Sequence, residues 1–407
     1  MNILYFASVD FYAKPNPSFH LMHAMITDIL ENGHCVYFIG CEQDGIDAHI
    51  PPEFASHENF FHRLIPVPNT KKSNFVKRYL DGITYARRAT KHIKQFVKDC
   101  DLIFVQSSPT VLYNLAAAKK YAAGKPILYN VQDMFPGSSI ASGVMPNKLM
   151  QSFFFKLQKC AYDKADVIVA ISDDMKDKLI EQGVDEEKIR VIVNWFDDKT
   201  VTEIPWEDNR FVKAFGMDKQ RFYVQYAGTM GYVFDYSMIL KVAETLKEYK
   251  DIVFQMIGEG SQKSDFAAAA KERGLDNIVF LPLQPQNMVS DVYSACSVCI
   301  IPLKHGVIGN SVPSKAGLLM ACKRAIVTST DADSKYNRMI NENHIGIAVG
   351  DDDPCGMANA ILYYYQNRQE CQKAGQNGHV FGHELFSRSA NMKRYLALFE
   401  VLAQKGS

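Results

Sequence analysis

The stretch Gly306–Val327, GVIGNSVPSKAGLLMACKRAIV, decides how the rest of the chain is read. A loop with two glycines runs into Asn310-Ser311-Val312-Pro313-Ser314-Lys315. An apolar run follows, Ala316 to Cys322, and passes through Lys323-Arg324 into the strand-like Ala325-Ile326-Val327. Ser311 suits an N-cap, and Pro313 stands where a first-turn proline is tolerated. Glycines let backbone approach a ligand, and free N–H groups at a helix start attract anions. Lys315, one turn in, adds a full positive charge. The pattern predicts a diphosphate site, although the same residues also suit an ordinary capped helix in an α/β domain.

The order of elements around this stretch weighs against the ordinary helix. Upstream lie Tyr226-Ala227-Gly228-Thr229-Met230-Gly231, a strand ending in a glycine turn, and Val253 to Gly260, a second strand ending in Gly258-Glu259-Gly260. Ile278 to Leu283 and Val292 to Leu303 come next, before the loop at Gly306. This succession resembles the C-terminal domain of retaining glycosyltransferases of family 4. Within that family the chain is most similar to the bacterial subgroup that builds capsules, O-antigens and exopolysaccharides. The resemblance implies an α/β chain with the GT-B fold, two Rossmann-like doubly wound domains facing across a cleft.

Length and composition agree with two domains. At 407 residues the chain exceeds one ordinary core, and a hydrophobic fraction of 47% fills two. The formal net charge is zero, so bulk electrostatics favour no nucleic acid. No apolar run approaches the roughly 18 residues of a membrane span. The opening MNILYFASVD lacks a basic leader and reads as a first buried strand. The 9 cysteines are scattered, and Cys296-x-x-Cys299 sits in an apolar passage that suggests a buried structural pair. Reduced thiols and a cytoplasmic location are expected.

Along the first half, apolar strands alternate with helical patterns, the mark of a parallel sheet covered on both faces. Residues 1–200 form the expected first domain, and 205–384 the second. The polar stretch Asp197–Asp218 reads as the linker. A final helix, within 385–407, follows a His-Glu-Leu-Phe turn and by resemblance packs back on the first domain. Ligands of such sheets bind at the carboxyl ends of strands. The loops after Ser8, Val105, Val131, Tyr226, Ile257, Leu281 and Leu303 are therefore the candidate site.

The resemblance puts the nucleotide-sugar in the second domain. Gly228, Thr229 and Gly231 would hold backbone near the phosphates, while Gly258, Glu259, Gly260 and Leu283 would frame the base. Asn310, Ser311, Ser314 and Lys315 complete the donor set. Here the chain departs from the common family pattern. The two glutamates found eight positions apart in many members fall on Asn310 and Leu318. The usual cations after the first glycine turn are replaced by Thr229, Met230 and Asp235. Lys315 and its helix start are left to neutralise the diphosphate.

Transfer from such a donor needs negative charge stabilised on the leaving phosphate. Lys315, Ser314 and loop amides can supply this without a metal or other cofactor. Asp351-Asp352-Asp353 precedes Pro354 and reads as a solvated cap. On the acceptor side the candidates are Asp10, Lys14, His20, Gln106 and Asp133, with Asp133 either accepting the acceptor's proton or forming an Asx turn. Lys71 to Lys98 holds nine Lys or Arg residues with Phe75, Tyr79, Ile83 and Tyr85 interleaved, and Met145 to Leu157 adds Leu149, Met150, Phe153, Phe154 and Phe155. Such segments can rest on an anionic membrane surface or simply form a solvated face and a core helix. The expected function is metal-independent, retaining transfer of a sugar from a UDP-sugar to a glycan or undecaprenyl-linked acceptor. A UDP-sugar epimerase of the same fold and a non-catalytic sugar-nucleotide-binding subunit are the alternatives.

Overall fold

A computed structural model describes residues 1–8, 17–45, 50–70, 74–141, 143, 145, 147–310, 313 and 315–405. Asp10, Lys14, Ser311 and Ser314 of the candidate site, and Lys71 and Lys72 of the basic segment, lie outside the described residues. The chain divides into two α/β units. The first comprises Met1–Ile140, Met145–Val193 and Met392–Ser407. The second comprises Ala141–Val144 and Asn194–Asn391.

In the first unit the strands are β1 (Asn2–Phe6), β2 (Cys35–Gln43), β3 (Phe60–Val67), β4 (Leu102–Gln106), β5 (Ile127–Asn130), β6 (Val167–Ala170) and β7 (Ile189–Val191). They form one sheet in the order β3-β2-β1-β4-β5-β6-β7. The second unit holds β8 (Phe222–Ala227), β9 (Ile252–Ile257), β10 (Ile278–Leu281), β11 (Val298–Pro302), β12 (Ala325–Thr330) and β13 (Gly346–Gly350). Their order is β10-β9-β8-β11-β12-β13, and neighbours in both sheets run parallel. Parallel strands covered by helices on both faces need apolar side chains on both sides. Leu102-Ile103-Phe104-Val105 of β4 and the whole of β8 and β9 are buried accordingly. The two glutamines inside β8 and β9 are satisfied rather than stranded. Gln225 donates to the Val292 carbonyl at 2.9 Å and to Gln255 at 3.5 Å.

Each sheet reverses strand order once, between β1 and β4 and between β8 and β11. Loops leave such switch points in opposite directions and open a crevice at the carboxyl ends. In the second sheet the β8–β11 ladder stops at Gln225 and Cys299, so Tyr226 and Ala227 run on beyond it.

Two expectations need correction. Asp197–Asp218 is not a linker but an integral layer of the second unit. Its helix Arg210–Phe215 is capped by Asn209, and Asp291 accepts from the Arg210 backbone at 2.8 Å and from its guanidinium at 2.6 Å. Thr202 and Ile204 donate to Ser290 and Ser294, and Glu203 pairs with Arg324. These polar residues find their partners far away in sequence, which a linear reading cannot show. The His-Glu-Leu-Phe segment is likewise no turn. It is the end of the helix Arg368–Leu385, and Phe386 is its cap. The last helix, Arg388–Lys405, belongs to the first unit from Met392 onward. Within that unit Asn130 donates to the Tyr395 hydroxyl at 2.5 Å, and Phe399 packs edge-on against Phe104. Cys296 and Cys299 are buried free thiols with sulfurs 3.3 Å apart.

Candidate functional site

The donor candidates of the second unit converge at its switch point. The turn after β8 and the turn after β9 interlock through backbone. Gly228 donates to the Ile257 carbonyl and Met230 to the Glu259 carbonyl, each at 2.9 Å. A Cβ on Gly258 would stand 2.0 Å from the Gly228 carbonyl oxygen, and one on Gly260 would stand 2.3 Å from that of Met230. No side chain fits at either place, so the floor of this edge is main chain. Gln262 braces the first turn from below, donating to the Gly231 carbonyl and, at 3.0 Å, to that of Phe234.

Lys315 reaches the same turn from the other side of the switch point. It is the first residue of a short helix, Lys315–Ala321, rather than one turn inside a longer one. The local charge therefore comes from the side chain and owes little to a helix dipole. The helix is held closely: a Cβ on Gly317 would meet Phe196 and Phe386 at 3.2 Å. Lys315 Nζ lies 3.5 Å from the centre of the Tyr226 ring and beside Gly228. Burial lowers its amine to about 7, against a small opposing effect of Cys299. Such a group gains most from an arriving anion, because an opposite charge restores its charged form.

The loop between β11 and this helix is pinned by Asp331 at the end of β12. Its carboxylate accepts from Gly306 N at 2.7 Å and Ile308 N at 3.1 Å. Asn310, a donor candidate, donates to the Gly306 carbonyl at 2.9 Å and closes the same loop. Glu259 is exposed and paired with Lys263, while Leu283 stands open to solvent. The acidic triplet divides its labour. Asp353 caps the helix Pro354–Gln366 through Gly356 N, and Asp351 faces His305 Nδ1 at 3.2 Å. Sequence reasoning missed Tyr226, Gln262, Lys304 (which donates to Gln262) and Asp331. A lysine two residues past one strand end and an aspartate directly past another were the available signals.

The first unit's candidates fare differently. Gln106 is buried and accepts from the Tyr5 hydroxyl at 3.2 Å, so it belongs to the core and not to an acceptor surface. His20 is exposed, but partial burial of its ring and the nearby His23 lower its pKa and so disfavour its charged form. Asp133 stays at the edge, open to solvent. Enclosure by its neighbours raises its carboxyl above the usual range, against hydrogen bonds from Ser138 and the Met134 backbone. Asn114 was not foreseen. It is fully buried and donates to Ser8 Oγ at 2.8 Å and Ser108 Oγ at 3.4 Å, while its Oδ1 has no partner among the described residues.

The basic and apolar segments form two helices, Phe75–Phe96 and Lys148–Tyr162, which meet through Tyr79 and Phe154 at 5.3 Å. Tyr85 and Phe154 are core residues, contrary to an exposed role for either. The outward apolar side chains are Val76, Leu80, Leu149, Met150, Phe153 and Phe155; Leu149 is 83% exposed. Lys77, Arg78, Arg87, Arg88, Lys91 and Lys94 are exposed on the first helix, and Lys148, Lys156 and Lys159 on the second. No helix among the described residues is long and apolar enough to cross a membrane.

Two doubly wound units with a glycine-floored, lysine-bearing edge define a GT-B protein. Comparison with known proteins names the family. Residues 21–200 match the model described as Glycosyltransferase Family 4, and residues 221–367 match that of Glycosyl transferases group 1. The two matches take in most of the chain, which belongs to this glycosyltransferase family. It is 26% identical over 298 residues to the probable glycosyltransferase WbjE of Pseudomonas aeruginosa, covering 72% of this chain and 73% of that one. It is 23% identical over 193 residues to the putative colanic acid biosynthesis glycosyl transferase WcaI of Escherichia coli, 47% of each chain. Among solved structures, Anabaena Alr3699/HepE in complex with UDP superposes with a TM-score of 0.74 at 13% identity, over 98% of this chain and 100% of that one.

Proposed function

We propose that the protein transfers a hexosyl or N-acetylhexosaminyl group from a UDP-sugar to a hydroxyl of a glycan or lipid-linked oligosaccharide in surface polysaccharide synthesis. The carrying observation is the convergence of Lys315 on the Gly228 turn at the switch point of the second sheet. The main-chain floor admits a diphosphate at close range, and the lysine meets the charge that develops on it as the anomeric C–O bond breaks. That charge is balanced by protein groups, so the reading needs no metal. Retention of configuration is proposed from the family. The choice of UDP and of polysaccharide is supported by the UDP bound to Alr3699/HepE and by the name of WcaI. The exposed apolar and basic helices of the first unit support peripheral docking on the cytoplasmic face of the membrane, where a lipid-linked acceptor would be met.

Calorimetric titration of UDP, GDP and ADP against the wild type and Lys315→Ala tests the donor site. UDP is expected to bind selectively and to weaken about tenfold or more in the variant, the scale of a charge-assisted contact. Equal affinity in both proteins would remove Lys315 from the site.

A further inference from the structure

Tyr226 is the residue at which the two halves of the donor edge touch. It lies at the end of β8 past the last rung shared with β11, and it is 4% exposed. Its hydroxyl donates to the Thr229 carbonyl at 2.7 Å, which ties the glycine turn back onto the strand. Its ring is held from one side by Phe234, with centroids 4.3 Å apart. Lys315 Nζ sits 3.5 Å from the ring centre. One side chain thus fixes both the turn that would receive the phosphates and the cation that would neutralise them.

The described surroundings give that amine no counter-charge. Among the described residues no carboxylate pairs with Lys315. Among the described residues the titratable groups acting on it are Tyr226 from β8 and Cys299 from β11, and Tyr293 from the helix Val289–Ser294 meets the same strand end, its hydroxyl donating to the Ala227 carbonyl at 3.2 Å. Burial raises all three, so they stay neutral near pH 7. Charged groups elsewhere on this edge are already engaged. Glu259 pairs with Lys263, Lys304 with Gln262, and Asp331 with Gly306, Ile308 and His305. Among the described residues the electron-rich face of Tyr226 is what lies against the amine and attracts its ammonium form. A ring face supports a cation far less well than a phosphate does.

We propose that Tyr226 is the positioning residue of the donor site: its hydroxyl sets the glycine turn and its ring seats the Lys315 amine, so that a nucleoside diphosphate binds together with a proton. The proton comes from solvent and ends on Lys315 Nζ, whose lone pair accepts it as the phosphate oxygens arrive. The inference rests on the donor reading above. It adds a linked proton, a positioning residue and a pH dependence to that reading.

The sign follows from the lowered amine of the free protein. Below about pH 7 Lys315 already carries its charge, and binding takes up little. Above it the free protein is deprotonated while the complex is not. Proton uptake then rises toward about one per UDP, and affinity falls by up to about tenfold per pH unit. UDP titrations in buffers of low and high ionisation enthalpy, between pH 7.5 and 8.5, measure this directly. In that range the terminal phosphate has itself finished ionising, its second pKa being about 6. Lys315→Met should bind UDP more weakly and with no linked proton. Tyr226→Phe keeps the ring, so its uptake curve should stay in place while UDP binding weakens about threefold as the turn loses its lock. Tyr226→Leu fills the space without a π face, and its uptake curve should move about half a pH unit or more to lower pH. UDP binding to the wild type with no linked proton would overturn the proposal while leaving the donor site standing. So would an unmoved curve in Tyr226→Leu. Failure of the wild type to bind UDP at all would instead remove the donor reading, and this inference with it.

Discussion

At the switch point of the first sheet the strand ends, the loops that follow and the start of the helix Val111–Tyr121 carry Ser8, Ser108, Thr110, Asn114 and Asp133. At the equivalent place in the second sheet they carry Gly228, Gly231, Gly258 and Gly260 with Lys315. The same topology therefore ends in two kinds of surface, one made of side chains and one made of main chain. A main-chain surface suits a ligand part that never varies, since a diphosphate presents the same oxygens whatever sugar it carries. A side-chain surface suits a ligand whose hydroxyl pattern must be read, because unpaired polar groups penalise the wrong one. The contrast accords with the proposed function, in which the second unit takes the constant part of the donor and the first the variable acceptor.

The severest challenge to that contrast is a side chain placed in the main-chain surface. Gly258→Ala puts a methyl where the Gly228 carbonyl oxygen is 2.0 Å away, and backbone is what must move. Gly258 also has a φ of 138°, which alanine adopts only under strain. UDP affinity is expected to fall about a hundredfold or more in calorimetry, with the interlock of the two turns lost. Affinity within about threefold of wild type would mean that the turns are pliable and that the glycines are not the floor of the site.

A second difference lies on the flank of the first unit, where apolar side chains point into solvent. Leu149 is 83% and Phe153 57% exposed, amid cations on both helices. Burying such side chains in a bilayer interface gains roughly 1.5–3 kcal/mol each when complete, and each cation near anionic lipid adds about 1 kcal/mol. The double variant Leu149→Asp, Phe153→Asp should therefore lose about tenfold or more of its binding to vesicles containing anionic lipid, read by co-sedimentation. UDP affinity should not change, because the donor edge belongs to the other unit. Equal vesicle binding by variant and wild type would make these helices an ordinary solvated face.

How far the sequence revealed all this depends on the range of the interactions. Strands such as Leu102–Gln106 and Ile252–Ile257 are short apolar runs closed by turn residues, so the two sheets and the loops at their carboxyl ends were legible. The meeting of Gly228 with Lys315 was legible through resemblance, since 87 positions separate them. Tyr226 was not, because an aromatic at a strand end reads as core until the lysine is seen over its ring. Gln106 misled for the opposite reason: a polar residue at a strand end reads as ligand-facing, yet the Tyr5 hydroxyl draws it inward. The stretch Asp197–Asp218 looked like a linker because every partner of Thr202, Ile204 and Arg210 lies nearly eighty or more residues away. On the two basic and apolar helices, composition gave the amphipathic character but not which aromatics face in.

The finest test of the contrast concerns the one feature that both edges share. Each holds an ionisable group against its preference, Lys315 in the second unit and Asp133 in the first. For Asp133 the folded chain binds the proton more tightly than the unfolded chain, so its ionised form costs the fold stability at neutral pH. That cost fades as pH falls through the folded pKa toward the ordinary value near 3.9, below which both states are protonated. Asp133→Asn abolishes the ionisation and retains an oxygen for the Ser138 hydroxyl or the Met134 N–H. It should raise the melting temperature at pH 7 by about 1–2 °C, a modest gain because the carboxylate is open to solvent, and the gain should vanish near pH 4. A residue kept at a cost to stability is what an acceptor-binding or proton-accepting group would be, whereas an Asx-turn residue stabilises its own loop. A lower melting temperature for Asp133→Asn at pH 7 would assign the carboxylate to the turn and leave the first unit's edge to its hydroxyls and amides.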